Sequence, residues 1–96
     1  MENLLRNNSI GSKTVVGSGW KIHHSTIGEG VSIGHGVKIG NSVILGEVKI
    51  GDDCVIQNCL IGNKAVVGSK CTLMDSIVVH TTNVENDTKD GSKIFD

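Results

Sequence analysis

The sequence predicts an all-β protein, a three-sided column of short parallel strands wound as about five coils of 17 residues. Three observations carry that prediction. Aliphatic residues recur at a step of 17 in three columns, the gaps within each coil run 6 + 6 + 5, and glycine follows two of the columns. The first column is Ile10, Ile27, Ile44, Ile61 and Val78; the second is Val16, Ile33, Ile50, Val67 and Val84. The third is Ile22, Ile39, Ile56 and Leu73, and it breaks at Asp90. Glycine follows the first column at Gly11, Gly28 and Gly62, and the second at Gly17, Gly34, Gly51 and Gly68. Helices do not fit, because a period of about 3.6 matches neither this spacing nor a load of 13 glycines.

Residues 1–9 are expected to be the end of a preceding coil. Leu5 lies 17 before Ile22 and so falls on the third column; either something caps that end or, as the favoured expectation, the chain is the tail of a longer protein. Residues 10–79 are the coils proper. The residue two before each column aliphatic is small or β-branched: Thr14, Val31, Val48 and Ala65 on one side, Val37, Cys54 and Cys71 on another. Positions two apart on a strand point the same way, so both face inward and the residue between them faces out. On the remaining side the same inward place holds Ser25, Ser42, Cys59 and Ser76. Trp20 shares its column with Val37 and Cys54, and is expected to plug the prism near its N-terminal end. Gly, Asn, Asp, Ser and Lys separate the strands, and Asn and Gly tolerate the left-handed backbone that sharp corners need. Residues 80–96 are expected to form a last partial coil and a C-terminal cap, with Ile94 and Phe95 covering the open end.

Composition narrows the function. A chain of 96 residues is one small domain, and with one Trp, one Phe and no Tyr its core must be aliphatic and thin. The formal charge of −1 gives no basic footprint for nucleic acid. No apolar run approaches the ~18 residues of a membrane span, and the opening MENLLRNNS lacks the apolar stretch of a signal peptide. Three cysteines without CxxC or CxxH spacing point to neither a disulfide framework nor a zinc ribbon. A reducing, cytosolic setting follows as the default. Cys54 and Cys71 stack 17 apart in one inward column, where a disulfide is geometrically conceivable and two buried thiols fit better.

One outer face stands apart. The outward residues before the first column are Thr26, Val43, Leu60 and Ile77, with Ile94 if the coil persists. The other faces read Val15, Ser32, Lys49, Val66, Asn83 and Lys21, Lys38, Val55, Thr72, Lys89, which are mixed or basic. The first face also carries Leu45 and Val79 at the glycine place, where a side chain should project outward. Val43, Leu45, Leu60, Ile77 and Val79 are therefore the expected protein interface, one stripe on strands stacked ~4.8 Å apart; the alternative is that the N-terminal arm or a preceding coil covers it.

The phrase IGEGVSIGHGVKIG resembles the hexapeptide-repeat, left-handed β-helix superfamily over nearly the whole chain, and the left-handed sense is what that resemblance implies. The five-residue third side is similar to the C-terminal domains of sugar-1-phosphate nucleotidylyltransferases and of the gamma and epsilon subunits of translation initiation factor 2B. Within that group, VILGEVKIG and NCLIGNKAVVGSKCTLMDSIVV resemble the gamma subunit most. The resemblance implies a non-catalytic assembly domain of a cytosolic guanine-nucleotide exchange factor, paired with a homologous, epsilon-like β-helix subunit or with itself. The alternatives are an oligomerisation or regulatory tail of a nucleotidylyltransferase (pyrophosphorylase) and, further off, a small acyltransferase. No small-molecule ligand, cofactor, nucleic acid or membrane is expected for this segment.

The candidate chemistry is thin. Hexapeptide-repeat acyltransferases use a corner histidine as general base, and His35 sits at a corner in IGHGV. Those enzymes also throw a loop over the acceptor, and this chain keeps its register from Ile10 to Val78 without insertion. Carbonic anhydrases on this fold hold zinc through three histidines from two subunits, but His23 and His24 lie on a different corner from His35 and His80. The expectation is no catalytic, metal or cofactor residue.

Overall fold

A chain that must bury an aliphatic residue every five or six positions has room only for strands of two or three residues and a tight corner after each. The computed structural model, which describes residues 9–92 and 94–95 (the side chains of Ser9 and Asp90 excepted), has that form throughout. Sixteen strands follow one another among the described residues and fall into three parallel sheets by taking every third strand. Sheet A holds β1 (Ser9–Ile10), β4 (Thr26–Ile27), β7 (Val43–Ile44), β10 (Leu60–Ile61), β13 (Ile77–Val78) and β16 (Ile94–Phe95). Sheet B holds β2 (Val15–Val16), β5 (Ser32–Ile33), β8 (Lys49–Ile50), β11 (Val66–Val67) and β14 (Asn83–Val84). Sheet C holds β3 (Lys21–His23), β6 (Lys38–Gly40), β9 (Val55–Gln57), β12 (Thr72–Met74) and β15 (Lys89–Gly91). The expected coil end at residues 1–9 lies outside the described residues apart from Ser9.

The register is the 17-residue step itself. Ile27 pairs with Ile44, Ile44 with Ile61 and Ile61 with Val78 on sheet A. Each coil donates to the next: the Gly28 N–H reaches the Ile44 carbonyl at 2.7 Å and the Gly62 N–H the Val78 carbonyl at 2.7 Å. The stacked aliphatics fill the axis, with Ile44, Ile56, Ile61 and Leu73 fully buried beside Val31, Val37, Val48 and Ala65. Ser25, Ser42, Cys59 and Ser76 are buried on the inner side of sheet A, as the alternation requires. They stay satisfied because each side chain turns back to a nearby carbonyl; the Ser42 hydroxyl, for example, donates to Gly40 at 2.7 Å. Cys54 and Cys71 are free thiols. Cys54 Sγ donates to the Gly68 carbonyl at 2.9 Å and Cys71 Sγ to that of Glu85 at 3.0 Å.

The corners divide two jobs that the sequence does not separate. Each has one residue in the left-handed region, and apart from Gly19, Gly30 and Gly36 these are side-chain-bearing: Lys13, Glu47, Lys64 and Thr81 between sheets A and B, for instance. The periodic glycines answer a different need. A Cβ on Gly62 would lie 2.5 Å from the His80 backbone nitrogen, and one on Gly28 2.7 Å from that of Gly46. Glycine at those two places lets successive coils approach, whereas the turn itself is made by exposed polar residues that accept φ near +60°.

The C-terminal end departs in detail from the sequence expectation. Although the aliphatic column breaks at Asp90, the backbone does not, and β15 pairs with β12 through Leu73 and Asp90. Phe95 packs against the core, while Ile94 faces outward and is 63% exposed, in register with Ile77. Only Phe95 therefore helps cover the end. Trp20 is half-buried against the core at the other end.

Candidate functional site

The outward residues of sheet A follow from the two-residue alternation: if Ile44, Ile61 and Val78 fill the axis, Val43, Leu60 and Ile77 must face away from it. The structure places Val43, Leu60, Ile77 and Ile94 side by side on adjacent strands. Their exposures are 39%, 41%, 43% and 63%. Leu45, 39% exposed, stands just past the end of β7. Val79 takes the matching place after β13 and is half-buried. Leu45, Leu60, Ile77 and Val79 line one open depression of about 630 Å³, with Asn63, Lys64, His80 and Thr81 on its polar side.

That depression has a simple cause. Along the corner between sheets A and B, the residue after each strand is Gly11, Gly28, Leu45, Gly62 and Val79. Two side chains stand where glycine is the rule, and Gly62 lies between them. Leu45 and Val79 are two coils apart, about 10 Å, so they wall a notch floored by Gly62. The five residues that the period sets on this face, Val43, Leu45, Leu60, Ile77 and Val79, all lie along it. The sequence left Ile94 conditional, although the same 17-residue step from Ile77 points to it.

The three faces differ in charge as well as in oiliness. The outward column of sheet A has no ionisable residue among Thr26, Val43, Leu60, Ile77 and Ile94, while sheet C presents Lys21, Lys38 and Lys89. Lys21 and Lys38, in register on adjacent strands, would lose their hydration if an apolar face docked over them, which disfavours such a contact on sheet C.

The histidines are not gathered. Among the described residues no group of three His, Cys, Asp or Glu side chains is arranged to hold a metal ion. His35 belongs to a hydrogen-bond ladder along the corner between sheets B and C. Its Nδ1 accepts the Ser18 N–H at 2.8 Å, and its own N–H is accepted by Asp52 Oδ1 at 2.8 Å. The Asp52 N–H is accepted in turn by Ser69 Oγ at 3.3 Å, and the Ser69 N–H by Asn86 Oδ1 at 2.8 Å. The ring is thereby held as an acceptor at Nδ1, with the proton of the neutral form on Nε2. Nothing in the sequence period announces this ladder beyond the recurrence of acceptor-bearing residues after the glycines of the second column. Burial pushes the Cys54 thiol up to about 11 and raises Cys59 as well. Both are therefore inert hydrogen-bond donors to backbone carbonyls at neutral pH.

Comparison with known proteins places this geometry. A family model described as the EIF2B subunit epsilon LbH domain matches residues 2–89. Among curated proteins, none matches the sequence. Two solved structures are similar at low identity. Perosamine N-acetyltransferase from Caulobacter crescentus, solved with CoA and GDP-perosamine, is similar at 19% identity and a TM-score of 0.60, over 93% of this chain and 50% of that one. A hexapeptide-repeat acetyltransferase from Vibrio cholerae is 17% identical with a TM-score of 0.43, over 92% of this chain and 70% of its own. The chain thus spans half the length of the Caulobacter enzyme, and that likeness establishes the β-helical fold alone. The family match extends over most of the chain, and the chain belongs to the EIF2B epsilon LbH domain family. The matched model carries the epsilon subunit's name, while the sequence phrases lean to gamma, its relative in the same group.

Proposed function

We propose that this chain, as a member of that family, is a non-catalytic assembly domain of a cytosolic guanine-nucleotide exchange factor subunit of the factor 2B type. In this reading it pairs with a homologous β-helix subunit, or with a second copy of itself, through the outward face of sheet A. The observation that carries the reading is the uncharged column Val43, Leu60, Ile77 and Ile94, widened by Leu45 and Val79 at the corner. A stiff solenoid presents such a face with little conformational entropy left to lose on binding. The exposed apolar area reaches the few hundred Å² at which a surface patch signals an interaction site. The engagement of His35 Nδ1 by the Ser18 N–H supports a structural use of the one corner imidazole that an acyl-transfer reading would call on.

The test is a double substitution, Leu60→Glu with Ile77→Glu. Both side chains face solvent, so the fold should tolerate the change, and circular dichroism checks that it does. Capture of translation-factor subunits from native cytosol should fall at least tenfold. Undiminished capture would remove sheet A as the pairing face.

A further inference from the structure

Resting on the reading of sheet A as a pairing face, we infer that this face is self-complementary and takes a second copy of the chain, prism axes antiparallel, about a two-fold axis parallel to the strands and passing between β7 and β10. Number the coils by sheet A strand, from β1 as the first to β16 as the sixth. The corner place after each strand is then a hole in coils one, two and four, at Gly11, Gly28 and Gly62, and a knob in coils three and five, at Leu45 and Val79. Two identical faces brought together in this way keep the same corner opposite itself and reverse the coil order. With the axis at the middle of the six-stranded sheet, coil three meets coil four and coil two meets coil five.

In that register both knobs meet holes. Leu45 enters the notch over Gly62 of the second copy, and Val79 lies over Gly28. A slip of one coil either way fails, setting Leu45 against Leu45 in one direction and against Val79 in the other. The centred register is also the one that overlaps all six strands. Because the contact is two-fold, each insertion occurs twice.

The rims agree with the same register, although they played no part in choosing it. On the corner between sheets A and B, Glu47 of coil three comes opposite Lys64 of coil four. These two already pair within the chain at 3.8 Å, so the dimer would join two such pairs into one alternating cluster. Glu29 comes opposite His80 on the same rim, and His24 opposite Asp75 on the other. No like-charged pair arises at any of these places. Exposed rim charges contribute little affinity, and their value here is to fix register.

The area suits a complete interface. From their exposures, Val43, Leu45, Leu60, Ile77 and Ile94 offer on the order of 400 Å² of apolar surface. An interface about three-fifths apolar would then cover roughly 700 Å² per partner, close to the ~800 Å² of a standard one. A copy turned with its axis parallel would instead set the corner bearing Leu45 and Val79 against the opposite corner, leaving the knobs without their glycine holes.

Selective cross-linking tests the arrangement, because the native cysteines are buried. Thr26→Cys and Ile77→Cys, made in separate chains, should cross-link when mixed with a short bismaleimide, whose span is comparable to the ~10 Å between packed sheets. Neither alone should react with its own copy, since the three coils between β4 and β13 add about 14 Å. Leu45→Gly with Val79→Gly, which restores the repeat residue at both corners, should leave the fold intact and weaken self-association at least tenfold by sedimentation. Cross-linking of Thr26→Cys to itself would overturn the antiparallel register while leaving sheet A as the pairing face. A monomer in sedimentation, with no cross-link in the mixture, would overturn pairing with a second copy. The capture experiment on the Leu60 and Ile77 variant would then speak for the docking face independently.

Discussion

The two corners flanking sheet B are built on the same repeat and end with opposite surfaces. Between sheets B and C, His35, Asp52, Ser69 and Asn86 turn their side chains onto the backbone N–H of the coil before. That corner satisfies itself. Between sheets A and B, Leu45 and Val79 replace glycine and add apolar surface beside an already oily strand face. The lesson is that a 17-residue step fixes where a side chain points but leaves its chemistry open. One corner uses that freedom for internal hydrogen bonds, the other for a surface that gains from being covered.

The largest expected effect separates inward from outward within a single strand. Ile61 is fully buried and Leu60, its neighbour on β10, is 41% exposed. Ile61→Ala should destabilise the fold by about 2–5 kcal/mol, because a cavity opens in a pillar that no other layer supports. Leu60→Ala should stay within about 0.5 kcal/mol. Urea denaturation of the two variants measures both. Equal losses would mean that Leu60 is part of the core, and the sheet A face would have to be redrawn.

A second contrast lies between the buried thiols and the wet corners. Cys54 has its thiol raised from an ordinary 9.0 to about 11, chiefly by burial. The unfolded chain can ionise this thiol above about pH 9, while the folded chain holds the proton until about pH 11. Stability is therefore fully present below pH 9 and declines across that window, by up to about 2–3 kcal/mol for a shift of this size. Cys59, also raised, adds in the same direction. Cys54→Ala should flatten the alkaline decline in a series of melts while lowering the plateau only modestly. An unchanged slope would assign the decline to other groups.

How much of this was legible before the structure depends on whether period or reach decides the matter. Period decides the core, the three sheets and the outward stripe, so Ile44, Cys59, Val43 and Leu60 could all be placed by counting. It also located Ile94, although the broken column at Asp90 obscured the continuing strand. Reach decides the rest. That Lys64 or Thr81 adopts φ near +60°, while Gly62 is glycine because another backbone passes close by, depends on distances between coils. The ladder through His35 is of the same kind: whether a side chain bonds the coil before it is a matter of ångströms that spacing does not encode.

That ladder yields the smallest effect and the most local one. His35→Ala removes the acceptor of the Ser18 N–H, yet this corner is open to water, which can replace the lost bond. The expected loss is about 0.5 kcal/mol or less, near the limit of a denaturation measurement. Amide hydrogen exchange resolves it better. Exchange at Ser18 should quicken several-fold in His35→Ala, with no change at Gly17, whose N–H donates to the Ile33 carbonyl at 2.9 Å. His35→Asn should restore the slow rate, because Asn86 already fills the equivalent place for the Ser69 N–H at 2.8 Å. A purely steric role for the ring would predict the reverse, with the smaller asparagine failing to rescue. Protection recovered by an amide oxygen would identify the bond itself as what the imidazole contributes at that corner.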